Sequence, residues 1–208
     1  MRKAHREREI TPEQRTLLRF AKREGFSHLH RKIVLVLSES FSINDSLQGV
    51  EIGVKRGVSA RSMLMAFPNL HLVLIDPYAS STSTTAGDQH KHDNNLIHAL
   101  HTICPWRSRT RLRIMTSEMA ADYEEGPFDF VYVDGDHGYD GVMTDLRLWW
   151  PRIRPGGLML GDDYHGRMEK HGYWGVGRAV DEFAAMTKDS FLYSEAPNFW
   201  YMSKCGST

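Results

Sequence analysis

Past residue 48, short apolar runs alternate with longer amphipathic segments, and this alternation constrains the fold more than any other feature of the chain. Runs of that kind are the mark of strands covered on both faces by helices in a parallel sheet. The strands expected are "GVEIGV" (49–54), "HLVLIDP" (71–77), "RLRIMTS" (111–117), "FDFVYVD" (128–134) and "GLMLGDD" (157–163). Helices are expected at Ser59–Phe67, about Asn94–Ile103, Asp140–Ile153 and Val176–Met186. "FLYSE" and "NFWYMSK", either side of Pro197, read as two further strands, antiparallel because their connection is too short for a crossover. Upstream, "ITPEQRTLLRFAKREGF" carries Thr11 as N-cap, Pro12 at the first helical position, Gln14 to close a capping box and Gly25 as a stop. The segment from there to about residue 48 is ambiguous.

At 208 residues the chain has room for one full-sized domain. We expect a single domain, with an N-terminal helical extension over 1–48 and a core over 49–203. Acidic and basic residues balance at 26 each, so net charge points to no nucleic-acid partner. The N-terminal 32 residues carry ten Lys or Arg against four acids, a run read as a solvated helix. Cys104 and Cys205, without a CxxC, make neither a disulfide framework nor a thiolate metal cluster and fit a reducing, cytoplasmic setting. The longest aliphatic run, "IVLVL" at 33–37, is far short of a membrane span, and no signal-peptide pattern opens the chain. "SSTSTTAG" (80–87) reads as a loop beside a site.

Chemistry gathers at the expected strand ends. In "VEIGVKRGVSA", Glu51 lies in the strand, Gly53 and Gly57 allow close backbone approach to a ligand, and Ser59 is placed to cap the next helix. The segment lacks the Gly-Lys-Ser/Thr of a phosphate loop and the G-x-G-x-x-G of a dinucleotide fold, so a pyrophosphate is not the expected ligand. Asp76 ends the following strand, where a carboxylate can accept from both hydroxyls of a ribose. A ribose without a diphosphate points to S-adenosylmethionine.

Together with "DGDHGY", "DLRLWWPRIRPGGLMLGDDY" and "GVGRAVDEF", these segments make the chain resemble the class I S-adenosylmethionine-dependent methyltransferases from about residue 45 to 203. The branch it is most similar to holds the macrolide-sugar and aminocoumarin-sugar O-methyltransferases and cephalosporin-hydroxylase-type proteins. The resemblance implies an α/β, Rossmann-like sheet of seven strands in the order 3-2-1-4-5-7-6, the last antiparallel, with helices on both faces. In that order Asp134 at one strand end and Asp162 with Asp163 at the next share a rim, and crowded carboxylates call for a cation. Oxygen ligands favour Mg2+, with Mn2+ or Ca2+ as alternatives. The resemblance implies a divalent metal at these aspartates and Asp136 as general base, with His137 as the other candidate. Asp134 also stands among the expected cofactor contacts. Ser117 and Glu118 lie where such folds contact adenine, although a helix N-cap explains Ser117 equally well.

Four histidines, His90, His92, His98 and His101, read as solvated rather than as a metal cluster, and Trp149 or Trp150 as core. "YHGRMEKHGYWG" (164–175), including His165, is the expected acceptor loop. The implied reaction is methyl transfer to a hydroxyl of a sugar, glycoside or related small molecule. No membrane span is expected, and self-association into a homo-oligomer is left open. Two other readings stay open: a metal-independent methyltransferase using Asp136 or His137 as base, and a non-catalytic module that binds S-adenosylmethionine.

Overall fold

A computed structural model describes residues 3–4, 10–79, 86–165, 175–187, 190–194 and 198–205. Most of the Ser/Thr run (80–85) and of the expected acceptor loop (166–174) lies outside the described residues, as do residues 5–9 of the basic arm.

Helix α1 (Pro12–Arg23) begins as its sequence dictates. The Thr11 side chain accepts the Gln14 N–H, and the Gln14 side chain returns an oxygen to the Thr11 N–H at 2.9 Å. The ambiguous segment is a second helix, α2 (His28–Ser40), capped by Ser27. The "IVLVL" run lies inside α2, and Ile33, Val34, Val36 and Leu37 are buried in the core. Burial on a helix face has overridden the strand preference of β-branched residues.

The strands are β1 (Lys3–Ala4), β2 (Leu47–Ile52), β3 (Leu70–Ile75), β4 (Thr110–Arg113), β5 (Phe128–Val133), β6 (Ile153–Asp162), β7 (Ser190–Ser194) and β8 (Phe199–Ser203). They form one mixed sheet in the order β1-β7-β8-β6-β5-β2-β3-β4. From β4 to β6 the strands are parallel, and β8 runs antiparallel to β6 and β7. The parallel part therefore has the expected 3-2-1-4-5 order, with an antiparallel strand beyond it. The expected count of seven is corrected to eight, because two residues of the N-terminal arm pair with β7.

The remaining helices are α3 (Val58–Ala66), α4 (Ala86–Ile103), α5 (Ser117–Ala121), α6 (Tyr139–Trp149) and α7 (Val176–Thr187). α4 starts eight residues earlier than expected, and α6 gives way to a 3-10 turn at Trp150–Arg152 before β6. β4 ends at Arg113 instead of Ser117, leaving Ile114 exposed at 55%. Alternate residues of β5 feed two cores: Phe130 and Tyr132 face the α1–α3 side, and Val131 and Val133 the α6–α7 side. Trp149 and Trp150 are both buried in the second core. Among the described residues no helix is long and apolar enough to cross a membrane.

Candidate active site

The carboxyl ends of β2–β6 open into one cavity of about 1250 Å³, where an α/β sheet of this order places its ligand crevice. That volume exceeds the roughly 300–1000 Å³ of ordinary small-molecule pockets, so it leaves room for two ligands.

On the β2 side the chain turns sharply. Gly53 has φ +87°, and a Cβ there would lie 2.1 Å from the Asp134 carbonyl oxygen, so only glycine lets β2 and β5 close together at the cavity floor. Gly57 (φ +71°) is the N-cap of α3. Ser59 is therefore not the cap that the sequence suggested. It lies inside the helix, and its hydroxyl donates to Glu51 Oε1. Glu51 is fully buried, Oε2 has no hydrogen-bond partner, and burial pushes the carboxyl up to about 8.

Asp76 holds the turn from the β3 side. Its Oδ2 accepts from Val54 N (3.0 Å) and Lys55 N (2.8 Å), and its Oδ1 from Tyr78 N (2.8 Å). These bonds fix the carboxylate at the cavity wall and leave about one acceptor site of the four for a ligand hydroxyl.

At the β4 end, Thr116 is the N-cap of α5 and accepts from Met119 N, which displaces Ser117 from the capping role. Ser117 instead donates to Asp145 Oδ1 on α6. Asp145 is buried and lines the cavity, and desolvation raises its carboxyl to about 7. Glu118 is exposed on the cavity rim.

The acidic rim is where β5 and β6 end side by side. Asp134 Oδ2 accepts from Tyr132 Oη at 3.2 Å. His137 Nε2 lies 3.1 Å from Asp163 Oδ2 and 3.6 Å from Asp134 Oδ1. Hydrogen bonding to Asp134 and then to Asp163 raises the imidazole to about 9, against the opposing pull of burial. Asp163 has φ +59°, a left-handed turn directly after β6. Asp162 ends β6 beside this group, and burial, with repulsion from Asp134 and Asp163, pushes its carboxyl up to about 7. Among the described residues, the three side chains whose donor atoms converge within 4.8 Å are thus Asp134, His137 and Asp163, rather than the three aspartates alone. Asp136 parts from Asp134 at the Gly135 bend and folds toward α6, its Oδ1 accepting from Gly138 N at 2.8 Å while still lining the cavity.

Two further cavity residues are not among the expected site residues. His30 reaches the cavity from α2, a segment with no clear sequence pattern, and desolvation lowers its pKa. Asp145 is hidden within an amphipathic helix pattern. His90, His98 and His101 are exposed and His92 is half-buried, in line with solvated side chains. His165 N donates to Asn198 Oδ1, which ties the start of the expected acceptor loop to β8.

A family model described as a methyltransferase domain matches residues 50–164, more than half the chain. The chain belongs to that methyltransferase family. An uncharacterized protein of Acanthamoeba polyphaga mimivirus is 27% identical over 151 residues, covering 66% of this chain and 60% of that protein. Demethylmacrocin O-methyltransferase of Streptomyces fradiae is 45% identical over 47 residues, 23% of this chain and 11% of that one. The chain thus spans about three-fifths or less of these curated relatives. Among solved structures, an O-methyltransferase from Bacillus cereus in complex with SAH aligns over 94% of this chain and 91% of that one, with TM-score 0.62 and 14% identity. The mycinamycin-pathway methyltransferase MycE, with Mg, SAH and mycinamycin VI, aligns over 94% and 55%, with TM-score 0.57 and 18% identity. At these identities the solved structures speak for the fold.

Proposed function

We propose that this methyltransferase moves the methyl group of S-adenosylmethionine to a hydroxyl of a sugar, glycoside or related small molecule, with a divalent cation at the β5–β6 rim, in a cytoplasmic setting. The carrying observation is that one cavity, large enough for two ligands, joins the Ile52–Arg56 turn and Asp76 on one side to Asp134, Asp162, Asp163 and His137 on the other. The SAH-bound O-methyltransferase and the Mg- and SAH-bound MycE methyltransferase of the same fold support the choice of ligands.

The donor set fits a cation, since carboxylates and an imidazole converge where like charge would otherwise repel. Asp134 and Asp163 would hold it, with Asp162 beside them at the end of β6 as a further candidate, and when bound it would lower the pKa of an acceptor hydroxyl. The turn at Gly53 and Gly57, with Asp76 on the ribose and Ser117 toward the base, would orient the sulfonium. The acceptor oxygen then attacks the methyl carbon as the carbon–sulfur bond breaks, S-adenosylhomocysteine leaves, and Asp136 takes the hydroxyl proton.

A metal-free reading is favoured by one observation: His137 already lies between Asp134 and Asp163, where an imidazole of raised pKa supplies the positive charge that the paired carboxylates call for. Calorimetric titration of S-adenosylhomocysteine, followed by transfer from labelled S-adenosylmethionine to a panel of vicinal-diol sugars with Mg2+ or chelator, tests both. Saturable binding, with transfer that chelator abolishes and an added divalent cation restores, is the expected result. Chelator-resistant transfer moves the assignment to His137 or Asp136 alone. Binding without transfer to any acceptor favours a non-catalytic module.

A further inference from the structure

We infer that His137 is itself a ligand of the rim cation, making Asp134, His137 and Asp163 a mixed nitrogen–oxygen site that selects a first-row transition ion such as Fe2+, Co2+ or Zn2+ over Mg2+. The inference rests on the metal-assisted reading above and narrows its ion.

Spacing carries it. Two ligands held at about 2.0–2.2 Å from one ion, at tetrahedral or octahedral angles, stand about 3.0–3.6 Å from each other. His137 Nε2 stands 3.1 Å from Asp163 Oδ2 and 3.6 Å from Asp134 Oδ1, the edges of such a shell. All three donors fit within 4.8 Å of one another at the mouth of the ligand cavity.

The backbone is built to hold this arrangement. The Gly135 bend brings His137 back over the end of β5, and the His137 carbonyl accepts from Gly175 N at 2.8 Å, fixing the loop to the segment before α7. The left-handed turn at Asp163 swings its carboxylate to the same point. An imidazole in the shell matters for selectivity, because Mg2+ prefers oxygen donors while nitrogen donors suit iron, cobalt, nickel and zinc. With His137 on the ion, Asp136, turned toward α6, is the residue left to receive the hydroxyl proton.

The test uses Co2+ and Mg2+ as probes on the full chain with S-adenosylhomocysteine bound. Co2+ affinity is read from visible absorption and calorimetry, and coordination from the paramagnetically shifted ring resonances of histidine-labelled protein. In the unaltered protein, a strongly shifted imidazole signal is expected. In His137→Asn that signal disappears and the preference for Co2+ over Mg2+ falls by about tenfold or more, with nucleoside affinity unchanged. Co2+ binding with no shifted imidazole signal in the labelled, unaltered protein overturns the inference whatever the variant does, and leaves a carboxylate-only site. If neither ion binds while the nucleoside does, the metal-assisted reading falls with it.

Discussion

Glu51 combines full burial, a single hydrogen bond from Ser59 and an unpartnered Oε2, which makes it a carboxyl kept protonated by its surroundings. The folded protein holds this proton up to about pH 8, whereas the unfolded chain releases it near 4.5. Because the folded state binds more protons between those values, its stability contribution is complete below about 4.5 and declines as pH rises toward 8. Glu51→Gln keeps an oxygen to accept from Ser59 and removes the titration. Urea unfolding at pH 5.5, 7 and 8.5 should show the variant gaining on the unaltered protein as pH rises, by up to about 1.4 kcal/mol per pH unit. A constant difference across that range would mean that Glu51 titrates normally. Residue identity was enough to single out Asp76, Asp134 and Asp163, which line the cavity, since acids at strand ends stand out in one dimension. It did not reveal that His137 joins the rim cluster while Asp136 turns away. That outcome depends on the Gly135 bend and on the φ +59° turn at Asp163, neither of which follows from residue type. The cap lies two residues before Ser59 and one before Ser117 for the same reason: it is set by backbone angles, and a glycine and a threonine upstream take that role.

Among the elements, the β2–α3 turn leaves no room for a side chain at Gly53, and two glycines separate space from backbone strain. Gly25 (φ +72°) follows α1 with nothing within 4 Å of a would-be Cβ, so Gly25→Ala meets only the left-handed backbone penalty, about 1 kcal/mol. Gly53→Ala adds a collision with the backbone of Asp134 to the same penalty and should cost about 2–4 kcal/mol. Denaturant unfolding measures both. Nucleoside titration should separate them further, with S-adenosylhomocysteine affinity kept in Gly25→Ala and weakened at least roughly tenfold in Gly53→Ala. Equal effects at the two positions would remove the special role of the turn. The parallel strands and the helices after them were legible because their apolar runs are bounded by turns. α2 was not, since "IVLVL" fits a buried strand or a buried helix equally well until its neighbours are known. The same ambiguity hides His30, which α2 carries to the cavity.

At the scale of the whole molecule, the cavity exists only while five strand ends stay in register, so ligand binding and global folding are coupled. A nucleoside that binds the folded chain alone should stabilise it by about 2.7 kcal/mol at a hundred times its Kd. For a chain of this size each kcal/mol moves the midpoint by about 2–4 °C, so saturating S-adenosylhomocysteine should raise Tm by about 5–11 °C. Asp76 connects that shift to the assigned geometry. Its carboxylate ties the β2 turn to β3 through Val54 N and Lys55 N and caps its own turn through Tyr78 N, so Asp76→Ala removes both the expected ribose contact and the acceptor for three backbone donors. The variant should therefore start from a lower Tm and also lose most of the nucleoside-induced rise. If it starts lower yet still rises in full, Asp76 is a structural clasp and the ribose is held elsewhere in the cavity. If the unaltered protein shows no rise at saturating nucleoside, the cofactor assignment fails for the chain as a whole.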